Sequence, residues 1–277
     1  MQRLIPAFRF GLFGMALCLT ASMAMAEDAV LTVLQTADDA QGWEAVGRLD
    51  IDGKGFCTGA LIAPDLVVTA AHCLFDHDTG ERVDDHNIRF LAGWRNGQAL
   101  AYRNVERALE HPDYVHTPDP DGNNSQFDVA LLRLDQPILS TQIIPFDVAT
   151  EDEVGTEVGV VSYAFDRSEA PSLQEVCGIL GEQDGMLVLS CDVDFGSSGA
   201  PIFHIADGVA QVVSVVSAKA ELDGKGVAIG VILDAPLAVL TDAMNAGPAL
   251  FRDGIPGSVR VLAGGERAEI GAKFVRP

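Results

Sequence analysis

The stretch that decides the fold runs from Cys57 to Cys73 and reads CTGALIAPDLVVTAAHC. It contains two aliphatic runs, Ala60–Ile62 and Leu66–Thr69, and both have the composition and length of strands. The second run leads through two alanines to His72, which stands directly beside a cysteine. A disulfide between the two cysteines would hold the histidine against the first strand, and the small alanines leave room around its imidazole. The stretch therefore predicts strands that present one histidine at a fixed place.

The same alternation of short apolar runs with Gly, Asp and Pro turns continues along the chain. The further strand-length runs are Ala45–Ile51, Ile88–Ala92, Val129–Leu134, Val158–Tyr163, Met186–Cys191, Val209–Ser217 and Val227–Leu233. Helical periodicity is clearest in Ala235–Asn245, where Leu237, Leu240 and Met244 share one face. The pattern predicts an all-β architecture, built as barrels or as a sandwich.

The first 26 residues have the pattern of a secretory signal peptide. A basic start with Arg3 and Arg9 precedes an apolar run, and Ala24-Met25-Ala26 forms an A-x-A cleavage site before Glu27. A membrane anchor is the alternative, but the run is short and is interrupted by glycines and a threonine. No later stretch is apolar enough to span a bilayer. We therefore expect an exported chain, periplasmic or secreted, with no membrane contact once residues 1–26 are removed.

The composition is strongly acidic, with 40 Asp and Glu against 18 Lys and Arg and a net charge of −22. No basic patch stands out, which argues against a nucleic-acid partner. The polar segment His111–Gln126 alternates Asp119, Asp121 and Asn123, a pattern that hints at calcium. No bidentate glutamate follows at the EF-hand position, so we interpret the segment as a solvated loop. We expect a monomer without a cofactor or a metal.

Four cysteines, Cys57, Cys73, Cys177 and Cys191, follow the signal peptide. Four cysteines allow three pairings, and export favours their oxidation. The two pairs that are close in sequence, Cys57–Cys73 and Cys177–Cys191, each close a short loop, which stabilises a fold by about 3 kcal/mol. A zinc site is the alternative, although no C-x2-C spacing supports it.

Two further stretches carry candidate catalytic groups. FDVALLRL, at 127–134, places Asp128 at the mouth of an apolar strand, where a buried carboxylate needs hydrogen-bond donors. DFGSSGAPIF, at 194–203, sets two serines between Gly196 and Gly199, whose backbone freedom can aim two N–H groups at one spot. A serine nucleophile needs a base, a carboxylate that orients the base, and donors for the oxyanion. The sequence offers these parts in the order His72, Asp128 and serine.

Together these motifs resemble the three signatures of trypsin-like, chymotrypsin-fold serine proteases: TAAHC, D-x-A-L-L-x-L and G-S-S-G-A-P. HPDY, at 111–114, is also similar to a stretch that those enzymes carry, and the likeness extends from Trp43 to Met244. The resemblance implies two antiparallel six-stranded β-barrels with the active site in the cleft between them. It places the first barrel with its linker in 41–150, and the second barrel with a helix in 151–257. Segments 27–40 and 258–277 lie outside the barrels, and the last is expected to form an extra hairpin.

Carried over to this chain, the resemblance makes His72 the general base, Asp128 its orienting partner and Ser198 the nucleophile. The backbone N–H groups of Gly196 and Ser198 would form the oxyanion hole. The register favours Ser198 over Ser197, because the nucleophile of the family has glycine two residues before it and one after it.

The chain also departs from the animal enzymes. Ser197 stands where they carry an aspartate that pairs with a freshly cut N-terminus, and no Ile-Val-Gly-Gly-like start is present near 27–42. An uncharged residue there resembles the bacterial glutamyl-endopeptidase-like branch, as does the expected Cys177–Cys191 pairing. Ala200 replaces a second glycine, which is a small change at a strand entrance.

The sequence also indicates candidate residues for the pocket that selects the substrate. An ungapped count from Ser198 puts Asp192 at the position of the trypsin selector for basic side chains, but Asp192 is also explained as a strand-end residue. The pocket wall falls in 214–219, with Ser214 and Ser217 as candidates. We expect an exported serine endopeptidase that cuts protein or peptide substrates through an acyl-enzyme. The alternatives are a binding protein on a protease scaffold and an esterase that uses the same residues.

Overall fold

The computed structural model describes residues 29–117, 125–150 and 155–246, and antiparallel strands are the main regular structure in them. The strands are β1 Thr32–Val33, β2 Val46–Ile51, β3 Gly55–Ala63, β4 Leu66–Thr69, β5 Ile88–Ala92, β6 Ala101–Glu110, β7 Ala130–Leu134, β8 Glu157–Ser162, β9 Ser172–Gln183, β10 Met186–Leu189, β11 Pro201–Ala206, β12 Val209–Leu222 and β13 Lys225–Ile232. Helix α1, Asp234–Asn245, follows them. The expected signal peptide, the acidic alternation at 119–123 and the expected hairpin in 258–277 lie outside the described residues.

The first barrel closes in the order β2-β3-β4-β7-β6-β5. Its interior is filled by large aliphatic and aromatic side chains that are fully buried, including Leu49, Leu61, Phe90 and Leu131. Gly47 is required by this packing, because any side chain there would collide with the Phe90 ring. Burial of these side chains is the main stabilising term of the barrel.

The second barrel is formed by β8, β9, β10, β13, β12 and β11, and pairing of β8 with β9 closes it. The short strand β1 adds to the edge of β9, with Thr32 opposite Leu173. Both closed barrels have six strands, so the fold expected from the resemblance is confirmed. The apolar runs of the sequence do not predict strands β6 and β9, because polar residues on their outer faces interrupt the hydrophobic pattern.

Aromatic packing joins the two barrels. The Phe203 ring of β11 lies 5.0 Å from Trp43 and 4.7 Å from Phe146, measured between ring centroids. Helix α1 begins one residue before the predicted start and buries Leu237, Leu240 and Met244 as expected. No helix within the described ranges is long and apolar enough to cross a membrane.

Candidate active site

Pairing of β4 with β7 brings His72 and Asp128 together. Thr69 lies opposite Ala130 in this ladder, so the short 3-10 helix Ala71–Leu74 after β4 and the two residues before β7 meet at the same barrel end. His72 Nδ1 lies 2.7 Å from Asp128 Oδ2, and the His72 backbone N–H donates to Oδ1 at 2.8 Å. The carboxylate therefore fixes the tautomer with hydrogen on Nδ1, which leaves Nε2 free to accept a proton.

A third donor reaches the same carboxylate from the second barrel. Ser217 Oγ donates to Asp128 Oδ2 at 2.6 Å. The register of β12 against β13 shifts between Val216 and Ala218, so Ser217 sits at a bulge that redirects its side chain. The Asp128 side chain is only 6 % exposed, and its carboxylate is satisfied on both oxygens.

The pKa values of His72 and Asp128 shift in opposite directions, because each charged group stabilises the other. Burial favours the neutral acid, but the His72 charge and the hydrogen bonds from His72 and Ser217 outweigh it, so the pKa of Asp128 falls below its usual value of 3.8. Burial alone would lower the pKa of His72, yet the adjacent carboxylate outweighs that effect and raises the pKa above 6.5.

The serine turn lies between β3 and β12. The Thr58 N–H donates to Ser198 O at 2.9 Å, and the Gly199 N–H donates to Val216 O at 2.7 Å. Gly196 and Gly199 have φ values of +95° and +73°, a region that favours glycine. Side chains would also not fit, because a Cβ on Gly199 would overlap the Thr69 hydroxyl.

Two backbone donors in this turn remain available. Within the described residues, the N–H groups of Gly196 and Ser198 have no hydrogen-bond acceptor. They are the two groups that the sequence predicts for an oxyanion hole. No hydrogen bond joins Ser198 Oγ to His72 in the described structure, although Gly199 packs against Thr69 and Ala70 just before the histidine. Such contacts are commonly looser before substrate binds.

Ser197, the neighbour of Ser198, points into the protein and is fully buried. Its Oγ lies 3.2 Å from Tyr163 O and 3.3 Å from Ser162 Oγ, and it accepts the Asp194 N–H at 3.3 Å. The Tyr163 N–H in turn donates to Thr58 Oγ1 at 3.1 Å. Neutral hydrogen bonds thus tie the turn to β8 and β3 where the animal enzymes use a charged pair.

The three candidate pocket residues take different positions. Asp192 is exposed, and its backbone N–H donates to Gln174 Oε1 at 2.8 Å. Ser214 is fully buried, and its Oγ has no partner within the described residues. Ser217 contacts Asp128, so its hydroxyl is committed to the carboxylate and is not free to line a pocket. The regular alternation of side chains between the two faces of a strand does not predict where Ser217 points, because the bulge shifts this alternation within β12.

A charged pair also flanks the serine turn, and no sequence pattern predicts it. Lys219 Nζ on β12 lies 3.5 Å from Asp194 Oδ1, four residues before Ser198. Nothing in the sequence joins these residues, because the contact depends on how the second barrel closes.

The four cysteines form two disulfides, Cys57–Cys73 and Cys177–Cys191, with Cα–Cα distances of 6.3 and 5.1 Å. The sulfurs are therefore unavailable as thiolate ligands, which excludes the alternative of a zinc site built from these cysteines. The first disulfide ties the residue beside His72 to β3, and the second ties β9 to the segment that leads into the serine turn.

Two six-stranded barrels with a paired histidine and aspartate beside a glycine-flanked serine turn define the chymotrypsin fold. Residues 33–235 match the trypsin family model, and the chain belongs to the trypsin family. It is 27 % identical over 151 residues to the glutamyl endopeptidase of Bacillus licheniformis, covering 54 % of this chain and 46 % of that protein. It is 35 % identical over 122 residues to kallikrein-1 of Mus musculus, covering 41 % of this chain and 43 % of that protein.

The chain spans less than half the length of these curated relatives. Among solved structures, a Glu endopeptidase in complex with MPD has a TM-score of 0.64 and 18 % identity, covering 80 % of this chain and 99 % of the other. That likeness supports the fold.

Proposed function

We propose that this protein is an exported serine endopeptidase in which Ser198 is the nucleophile, His72 the general base and Asp128 its orienting partner. The observation that carries the proposal is the 2.7 Å contact between His72 Nδ1 and Asp128 Oδ2, beside a turn with two unused backbone donors. Membership of the trypsin family supports it.

In the proposed reaction, Ser198 Oγ attacks the carbonyl carbon of the scissile peptide bond, while His72 Nε2 takes the hydroxyl proton. The negative charge that develops on the carbonyl oxygen is stabilised by the N–H groups of Gly196 and Ser198. Asp128 stabilises the imidazolium, and Ser217 and the His72 N–H keep the carboxylate ionised. His72 then protonates the leaving amine, and water releases the acyl group in a second, similar step.

Export is supported by the secretory pattern of residues 1–26 and by two disulfides, which persist in oxidising compartments. A free mature chain from Glu27 is part of the proposal. The domain organisation proposed is a first barrel with its linker in 41–150 and a second barrel with its helix in 151–257.

A fluorophosphonate probe tests the nucleophile, because it labels an activated serine covalently whatever peptide the enzyme prefers. We expect the wild-type protein to be labelled and Ser198→Ala to be unlabelled, with His72→Ala labelled far more slowly. Ser197→Ala is the matched control one residue away and should still be labelled. Labelling that survives in Ser198→Ala and disappears in Ser197→Ala would refute the assignment. A wild-type protein that folds but is never labelled would favour a binding protein instead.

A further inference from the structure

Two phenylalanine side chains stand in solvent beside the serine turn. Phe165 and Phe195 are each 80 % exposed, and Phe195 directly precedes the oxyanion donor Gly196. The Phe165 N–H donates to Phe195 O at 2.8 Å, so the two residues are held next to each other. Exposed aromatic side chains contribute nothing to the core, and a cluster of them at a site is typical of a binding surface.

A third ring completes this surface. Phe56 of β3 occupies the space that a side chain on Gly196 would need, and Ala164 Cα would lie 3.2 Å from a Cβ placed there. The Arg48 guanidinium lies 4.3 Å from the centre of the Phe56 ring, which fixes the ring against the turn. We call Phe56, Phe165 and Phe195 the aromatic rim. Phe56 and Phe195 adjoin Gly196, the first residue of the proposed oxyanion hole, and Phe165 is held beside Phe195.

Two strand edges give the direction of a bound peptide past the serine. Strand β12 pairs with β11 only as far as Val215 and continues to Leu222 against β13 alone. Within the described residues, one edge of β12 beyond Ser217 is thus open to an added strand. An antiparallel partner there runs from Leu222 towards Ser217, so it approaches the serine turn and holds the residues before the cut.

Strand β3 presents the corresponding edge on the other side. It pairs with β2 from Gly55 but with β4 only from Ala60, and the Thr58 N–H on its open edge donates to Ser198 O. An antiparallel peptide here runs from Thr58 towards Gly55, away from the serine, so it holds residues after the cut. A peptide that pairs with both edges therefore runs in one direction, from the β12 edge to the β3 edge. Phe56 of β3 lies on the side of the leaving group.

From this placement we infer that the aromatic rim binds an apolar side chain, preferably an aromatic one, from the first two residues after the cut. The occupant is the leaving peptide of the proposed hydrolysis, and the inference rests on that proposed function. The opposite side of the cleft has a different character, because Lys219 of β12 forms a charged pair there with Asp194. The rim therefore selects for the residues that follow the cut and not for those that precede it.

The test is digestion of a proteome-derived peptide library, with mass spectrometry reading the residues on both sides of each cut. For the wild-type protein we expect Phe, Tyr and Leu to be enriched about fivefold to tenfold over Ala at one of the first two positions after the cut. Replacing Phe165 and Phe195 together by alanine should reduce this enrichment to below about twofold. The residues preferred before the cut should stay unchanged.

Two variants control for unspecific effects. Leu139→Ala removes a side chain that is 82 % exposed in the linker after the first barrel, and it should keep the wild-type enrichment. Phe195→Tyr keeps the ring and should keep it as well. If the double variant is unstable, Phe165→Ala and Phe195→Ala are compared singly, and each should lower the enrichment.

Fluorophosphonate labelling separates the two hypotheses, because the probe carries no peptide after the reacting centre. Labelling that is unchanged in the double variant, together with lost enrichment, supports the aromatic rim. The aromatic rim is overturned if the double variant is labelled and shows the same enrichment after the cut as the wild-type protein. It is also overturned if the wild-type protein cuts peptides without any apolar preference after the cut. A wild-type protein that is not labelled overturns the proposed function instead.

Discussion

Replacing Ser197 by alanine tests how the oxyanion hole is held. The Ser197 hydroxyl is fully buried, and it accepts the Asp194 N–H while lying within 3.3 Å of Tyr163 O and Ser162 Oγ. Alanine removes these contacts and leaves at least one buried polar group without its partner, which costs about 1–3 kcal/mol. With 1 kcal/mol corresponding to roughly 2–4 °C in a domain of this size, a loss near the middle of that range lowers Tm by about 4–8 °C.

The effect on catalysis should be smaller than the loss of an oxyanion donor. Removing such a donor lowers kcat by about 10²–10³-fold, whereas Ser197→Ala keeps both N–H groups and only loosens the turn that aims them. We therefore expect kcat to fall about tenfold with KM nearly unchanged, because the interaction weakened is made mainly in the transition state. Thermal unfolding and steady-state kinetics on a peptide identified by library digestion would measure the two effects.

Ser214→Ala is the matched control for this prediction. Ser214 is also a fully buried serine of the second barrel, but its hydroxyl has no partner in the described structure. Its removal should leave kcat within about twofold and cost little stability, since no hydrogen bond is broken. A Ser197→Ala protein with lowered Tm and unchanged kcat would refute the positioning role. Equal losses of kcat in both variants would refute it too, because they would show a general response to cavities.

Three further outcomes follow from the site. Ser217→Ala removes the 2.6 Å donor to Asp128 and should lower kcat/KM about tenfold, as expected for one hydrogen bond to a charged group, with labelling by the fluorophosphonate probe slowed in parallel. The pH profile of kcat/KM should rise through a midpoint above 6.5, because His72 acts as a base only when neutral and Asp128 raises its pKa. In Asp128→Asn, burial alone acts on His72, so the midpoint should move below 6.5, and an unmoved midpoint would contradict the pairing. Replacing Cys57 and Cys73 together by serine should lower the free energy of unfolding by about 3 kcal/mol, measured by urea denaturation, and a loss confined to activity would contradict this.

The sequence predicts the parts of the site that depend on local patterns. His72 and Asp128 each stand at the end of an apolar strand, and pairing of those two strands is enough to bring them together. The sequence likewise predicts the role of the glycines around Ser198, because the positive φ values that they adopt are a local property of the turn. The two closed barrels follow from the same short apolar runs once the resemblance supplies their order.

Other parts of the site depend on how the barrels close, and no local pattern encodes them. Ser217 reaches Asp128 because a bulge interrupts β12, and a bulge has no reliable signature in a Val- and Ser-rich strand. Phe165 and Phe195 are thirty positions apart, and they become neighbours only when the chain after β8 meets the segment before β11. The spacing of the flanking glycines distinguishes Ser198 from Ser197, but no local pattern predicts which hydroxyl and backbone groups surround the Ser197 side chain.

The Ser197 network also explains how this turn keeps its shape without a buried carboxylate at position 197. Residues 29–33 lie along β9, since the Ala29 N–H donates to Val176 O and Thr32 pairs with Leu173. The groups that surround the Ser197 hydroxyl are other hydroxyls, a backbone carbonyl and a backbone N–H, which neither titrate near neutral pH nor respond strongly to salt. A charged pair in this place would make the hole depend on the protonation of an amine and on ionic strength. Because the neutral network does not, the titration of the His72–Asp128 pair is left as the main control of activity by pH in the described site.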